Sequence, residues 1–191
     1  MKSTASSRHS DKLATCCAEA TTAARARLDE IYQQQILQHN KHPVGYQIEL
    51  PQSAGWQHTR AWNPLCGDEI ELAVKLSATV ASQARQLQAL AFSGDSCAIC
   101  TAAASLLCQQ LPGLSAPHAL AMTEQFIAFV QAQQALTDAC LQPLSIFAQL
   151  HSLPNRKNCA TLPWQALQDL LATSADGCAG CRPDKRSASG R

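Results

Sequence analysis

Charge is scarce in this 191-residue chain: Asp, Glu, Lys and Arg make up 15% of it, in near balance at a net +1. No basic cluster precedes the tail "RPDKR", so nucleic acid is not an expected partner. Aromatic residues are few, and no apolar run approaches the roughly 20 residues that span a bilayer, so no membrane association is expected. The opening "MKSTASSRHSDKLATCC" has no apolar h-region, which argues against a secretory signal and for a cytoplasmic protein. Acidic residues are sparse there, which leaves a short amphipathic transit peptide open.

Against these absences stand ten cysteines and an abundance of Ala, Leu and Gln. The latter favour helix. Without an export signal, the cysteines point to metal binding or sulfur chemistry before disulfides.

Residues 1–27 read as a partly disordered extension. From "ARARLDEIYQQQILQH" the period is helical, with Leu28, Ile31, Tyr32 and Ile36 on one face, and Pro43 ends it. Three strands are expected. "VGYQIEL" sets Val44, Tyr46, Ile48 and Leu50 on one side. "IELAVKL" sets Ile70, Leu72, Val74 and Leu76 inward, and "QLQALAF" is the weakest of the three. "SATVASQA" joins the last two by a connection longer than a tight turn. Helices follow: "CAICTAAASLLCQQL", stopped by Pro112 and Gly113; "APHALAMTEQFIAFVQAQQ", entered at Ser115 and Pro117; "LTDACLQPLSIFAQLHSL", interrupted by Pro143; and "CATLPWQALQDLLA". The order indicates α+β, helices on an antiparallel sheet. The domain is bounded at 28–173, and 174–191 forms a flexible tail.

Three cysteines stand at junctions between these elements. Cys66 precedes a strand in "NPLCGDEIEL"; Cys97, in "SGDSCAIC", and Cys159, in "RKNCATLPW", stand at helix starts. A helix N-terminus offers free N–H groups and a positive dipole end, which favour the thiolate. Gly67 and Gly94 permit close backbone approach. Asp68 is placed to supply a fourth ligand beside Cys66, and three thiolates with a carboxylate suit zinc or an iron–sulfur cluster. Spacing alone also accommodates three ordinary buried cysteines.

"LDEIYQQQILQHNKHP", "NPLCGDEIEL", "FSGDSCAICTAAASLL" and "LPNRKNCATLPWQAL", in that order over residues 28–172, resemble the NifU-like iron–sulfur cluster assembly scaffold family, with the SufU-type branch the nearer likeness. The resemblance implies three antiparallel strands flanked by helices. It implies that Cys66, Asp68, Cys97 and Cys159 converge on one site holding Zn2+ or a transient iron–sulfur cluster. It further implies that the chain is either a zinc-dependent sulfurtransferase or a non-enzymatic scaffold. In the sulfur-transfer reading, Cys66 takes persulfide sulfur from a SufS-type cysteine desulfurase and recipient iron–sulfur assembly proteins follow. Cys97, Cys159 and Asp68 hold the metal, and Arg156 supports the thiolate electrostatically. An adaptor in which the metal only stabilises the fold is the alternative. "LPNRK" stands where the IscU-type branch carries "LPPVK", so no Hsc-type chaperone is expected. Asn158 replaces a usual lysine, Cys100 and Ala103 replace small hydroxyl residues, and the connection after the second strand is longer than usual.

The other cysteines and histidines have blander readings. Cys100 and Cys108 read as small core fillers, with Cys100 also in reach of the site, and Cys140 reads as core. The adjacent Cys16 and Cys17 read as a chance pair first and a redox-sensitive pair second. Cys178 and Cys181, in "CAGC", have metal-ligand or redox spacing but lack two further ligands, so no specific role is the first reading and a second metal or sulfur-relay site the other. His39, His42 and His118 read as surface or capping residues, and Trp164 as the anchor of the last helix.

Overall fold

The structure is a computed structural model that describes residues 30–78 and 84–175. The expectations for Cys16, Cys17, Cys178, Cys181, the first 29 residues and most of the tail lie outside the described residues. Residues 30–41 form helix α1. Three strands follow, β1 (Trp56–Trp62), β2 (Glu69–Leu76) and β3 (Leu87–Asp95), then α2 (Ala98–Gln110), α3 (Ala116–Ala132), a 3₁₀ helix (Ala139–Ser152) and α4 (Pro154–Ala175). Helix α4 runs two residues past the expected domain boundary at 173. The strands form one antiparallel meander in the order β1-β2-β3.

The expected α+β class holds, but the first strand is elsewhere. "VGYQIEL" touches the sheet at one isolated bridge, Tyr46 to Phe92, with the Gln47 N–H donating to the Phe92 carbonyl and the Phe92 N–H to that of Gly45, both at 2.9 Å. Gly45 has φ +80, and a Cβ there would meet the Cys108 side chain at 2.7 Å. That backbone turn breaks the alternation from within. Val44, Tyr46 and Ile48 face solvent, Ile48 at 86% exposure, and Leu50 alone is buried. The strand the sequence reading missed is "WQHTRAW", an edge strand hydrogen-bonded only to β2. An edge strand needs no strict apolar alternation, so its polar residues hid it. Arg60 pairs with its cross-strand partner Glu71 at 2.9 Å. Ile48→Ser is therefore expected to change stability by no more than about 0.5 kcal/mol in a denaturant titration. A loss above about 2 kcal/mol would place Ile48 in the core instead.

β2 turns Ile70, Leu72, Val74 and Leu76 into the core, as the alternation predicts. The opposite face carries a small second cluster in which Leu50 covers Ala73 and Ala91 beside Trp56. On the helical side, fully buried Trp164 packs at a tilt on Phe126, ring centroids 4.6 Å apart, and Phe126 meets Phe147 edge-on at 5.6 Å. On α1, Tyr32 and Ile36 pack on this core, whereas Ile31 is 48% exposed, so the apolar face of that helix is narrower than its sequence suggests.

Pro143 does not interrupt its segment. Leu141, Leu144, Phe147 and Leu150, all buried, recur every three residues. That period matches a 3₁₀ helix, at three residues per turn, and not an α-helix. Cys140 precedes the first of these positions and is exposed, which corrects its reading as core. Its N–H donates at 2.8 Å to Asp138, whose other oxygen meets His118 at 3.1 Å. His39 is half-buried and bonds Ser105 Oγ at 2.9 Å, tying α1 to α2.

Candidate metal centre

The register of the sheet brings the site together. Trp62 pairs with Glu69, so residues 63–68 are the turn between β1 and β2. Glu69 in turn pairs with Asp95, so Asp68 lies beside the residues that open α2. Asn63 shapes the turn. Its carbonyl accepts from the N–H groups of Gly67 at 2.9 Å and Cys66 at 3.4 Å, and its own N–H donates to the Asp68 carbonyl at 2.9 Å. Its Oδ1 accepts from the Leu65 N–H at 3.1 Å, an Asx turn. Gly67, at φ +77, lets the chain reverse.

At this turn the Cys66 thiol donates to Asp68 Oδ2 at 2.9 Å, and its sulfur is 3.2 Å from that of Cys159. The Cys97 thiol reaches the same Oδ2 at 3.3 Å, while the Cys97 N–H donates to Oδ1 at 2.7 Å. One ligand atom from each of Cys66, Asp68 and Cys159 lies within 4.8 Å of the others. Cys97 joins them through the carboxylate. Asp68 and Cys159 are buried, Cys97 is half-buried and Cys66 is exposed.

Cys97 is the N-cap of α2, as expected. Cys159 is not at a helix start, because α4 begins five residues earlier, at Pro154. Its sulfur therefore lies beyond the free N–H groups of the first turn. Within α4, Pro163 has no N–H to offer the Cys159 carbonyl. Nor does the cap lower the Cys97 thiol. Burial pushes it up and the neighbouring Asp68 adds to this, against the lowering effect of the Cys100 and Ile99 N–H groups. Cys159 is raised by burial first, then by its bonds with Cys66 and Asp68. For Asp68, burial pushes upward, yet the donors Cys66, the Cys97 N–H, Cys159 and Cys97 outweigh it and hold the carboxyl below its ordinary value. The carboxylate is thus ionised and acts as the shared acceptor of the cluster.

Arg156 stands one turn before Cys159 on α4, with its side chain exposed. The leading causes of the shifts at Asp68, Cys97 and Cys159 are burial and groups of the cluster itself. Cys100 lies fully buried one turn beyond Cys97, its thiol raised by burial and then by the Asp68 charge. Cys108 is a core filler, pushed up to about 12 by burial.

Ligands about 2.0–2.3 Å from one tetrahedral zinc stand roughly 3.3–3.8 Å apart. The donors here are 2.9–3.3 Å apart where they touch. Among Cys66, Asp68 and Cys159 a spread of some tenths of an ångström, with loss of the thiol protons, would make room for an ion, whereas the Cys97 sulfur stands outside that group and would have to move inward to become the fourth ligand. The donor set, soft sulfurs with one hard oxygen, fits zinc or a small iron–sulfur cluster. The residue that sequence reasoning overlooked is Asn63, buried, with Nδ2 3.7 Å from Cys159 Sγ. Its signal was the turn-forming Asn-Pro pair ahead of Cys66.

Residues 31–132 match the family described as NifU-like N terminal domain, a stretch that holds Cys66, Asp68 and Cys97 and ends before Cys159. The chain is 30% identical over 153 residues to the iron–sulfur cluster assembly scaffold protein IscU of Streptococcus pyogenes, covering 80% of this chain and 90% of that one. It is 31% identical over 152 residues to the zinc-dependent sulfurtransferase SufU of Bacillus subtilis, covering 80% and 97%. The crystal structure of the N-terminal part of a NifU-like protein from Brucella abortus has the same fold, with a TM-score of 0.63, 15% identity and coverage of 78% of this chain and 98% of that one. The chain belongs to the NifU-like family of iron–sulfur cluster assembly scaffolds.

Proposed function

We propose that this protein accepts sulfur from a cysteine desulfurase at Cys66, within a metal site formed by Cys66, Asp68, Cys97 and Cys159, and passes it to iron–sulfur assembly proteins. The observation that carries this reading is the unequal exposure of neighbouring sulfurs. Cys66 is exposed on a glycine-backed turn, while Cys159, 3.2 Å away, is buried. An incoming sulfur donor meets Cys66 first. Family membership and a relative named as a zinc-dependent sulfurtransferase support the reading. Among the described residues no helix is long and apolar enough to cross a membrane.

When bound, an ion here would supply Lewis acidity that keeps the ligating thiols ionised near neutral pH. Asp68 holds the ligands in register, accepting from both Cys66 and Cys97. The Cys66 thiolate attacks the outer sulfur of a desulfurase persulfide. The donor's S–S bond breaks, its thiolate leaves, and Cys66 gains the sulfur with no net oxidation. Cys97, at the N-cap of α2, and Cys159, inside α4, are fixed by packed helices and would hold the ion together with Asp68. Arg156, on the exposed turn before Cys159, lies where it can meet an anionic donor.

The direct test is incubation with desulfurase and cysteine, followed by mass spectrometry of the Cys66 peptide for a persulfide. No added sulfur on Cys66 would leave the site a structural clamp. The pH dependence of metal uptake is a second check. Cys97 and Cys159 are raised and so protonated near neutrality, whereas Asp68 is lowered and already ionised. Binding must expel the thiol protons, so affinity rises with pH, about tenfold per pH unit for each proton released. Chelator competition between pH 6.5 and 8.5 reads this slope. A flat profile would mean that no proton leaves.

A further inference from the structure

Asn63 does more than form a turn. Its backbone bonds with Cys66, Gly67 and Asp68 hold the turn that carries Cys66, and its side-chain nitrogen points at the sulfur of Cys159 on α4. Asn63 is buried, so water does not compete for its amide. The two halves of the amide have separate duties. Oδ1 accepts from Leu65 and fixes the turn, which leaves Nδ2 to donate to sulfur.

We propose that Asn63 is a positioning residue that donates an N–H···S bond to the Cys159 thiolate and makes Cys159 the ligand that stays. A hydrogen bond to a ligating sulfur draws electron density from it, lowering its nucleophilicity and steadying its orientation. Cys66 and Cys159 are chemically alike and 3.2 Å apart. The amide distinguishes them, since it reaches Cys159 and has no such bond to the Cys66 sulfur. The proposal rests on the metal site proposed above, and it is tested without sulfur transfer.

The probe is Co2+, whose thiolate charge-transfer band reports electron density on sulfur. Asn63→Ser keeps an oxygen that can accept from Leu65 but cannot reach Cys159. Asn63→Asp keeps the acceptor at full length and removes the donor. Both variants are expected to move the band to lower energy and to weaken Co2+ binding about 10–100-fold. The metal-free melting temperature of Asn63→Ser should stay near that of the wild type, because the turn is preserved, whereas Asn63→Asp also buries a carboxyl and is expected to melt lower. A band unmoved in Asn63→Ser overturns the proposal, including the case where Asn63→Asp alone shifts, which would be an effect of added charge. A wild-type chain that binds no Co2+ also overturns it. Absence of persulfide on Cys66 with shifted bands refutes sulfur acceptance and leaves the role of Asn63 intact.

Discussion

Cys66→Ala is expected to abolish sulfur acceptance and leave a folded protein that still holds some metal. Cys66 is exposed on the β1–β2 turn, and its side chain contributes little burial. Its removal costs one thiolate ligand and the bond to Asp68 Oδ2, with no cavity in the core. Cys159→Ala is expected to behave differently. Cys159 is fully buried and belongs to the core cluster. Truncation there costs roughly 1–2 kcal/mol of lost packing, in addition to the ligand. It also removes the sulfur that Cys66 and Asn63 both meet. Cys97→Ala should fall between, since Cys97 is half-buried but its N–H still bonds Asp68 Oδ1 at 2.7 Å without the side chain. Melting temperature, bound metal and persulfide yield across the three variants separate these outcomes. Sulfur acceptance at the wild-type rate by Cys66→Ala would remove Cys66 from the transfer step. Unfolding of Cys66→Ala would make the turn a structural element and not an arm.

Gly94→Ala is expected to be among the most damaging single-methyl changes in the molecule. Gly94 faces Ile70 across the β2–β3 pair. A Cβ on it would collide with the Glu69 carbonyl oxygen and the Ile70 Cα, both backbone atoms that cannot rotate away. Its φ of +139 also disfavours any side chain. Backbone strain and overpacking together amount to roughly 3–5 kcal/mol. Relief requires β3 to move off β2 at the end where Asp68 meets Cys97. Metal affinity should therefore fall along with stability. Gly55→Ala is the control. Its φ is +94, but nothing lies within 4 Å of the added methyl, so only the conformational cost of about 1–2 kcal/mol remains. Equal losses in the two variants, read by denaturant titration, would show that φ and not the close approach sets the cost.

The elements that carry their own signal were legible before the fold was seen. The alternation of Ile70, Leu72, Val74 and Leu76 specified β2 and its buried face, because one face of that strand meets a core. Pro112 and Gly113 marked the end of α2, and Trp164 stood out as a core anchor. The strand β1 was not legible, since an edge strand of Trp, His, Thr and Arg is selected by its partner and not by its own pattern. "VGYQIEL" carried the pattern without the partner, and Gly45 turned it aside. The 3₁₀ helix was written in the three-residue spacing of Leu141, Leu144, Phe147 and Leu150, which a search for 3.6-residue periods passes over. Motif order gave the site residues their names, but the sequence distances between them, 31 positions from Cys66 to Cys97 and 62 from Cys97 to Cys159, say nothing of approach. Sheet register set Asp68 beside Cys97, and the packing of α4 brought Cys159 to Cys66. Only that arrangement decided which sulfur is buried, and burial raised the Cys97 and Cys159 thiols where a helix-start argument expected the opposite. Local chemistry fixes which groups a chain can offer; desolvation and contact between distant segments are properties of the folded whole, and they set how those groups behave.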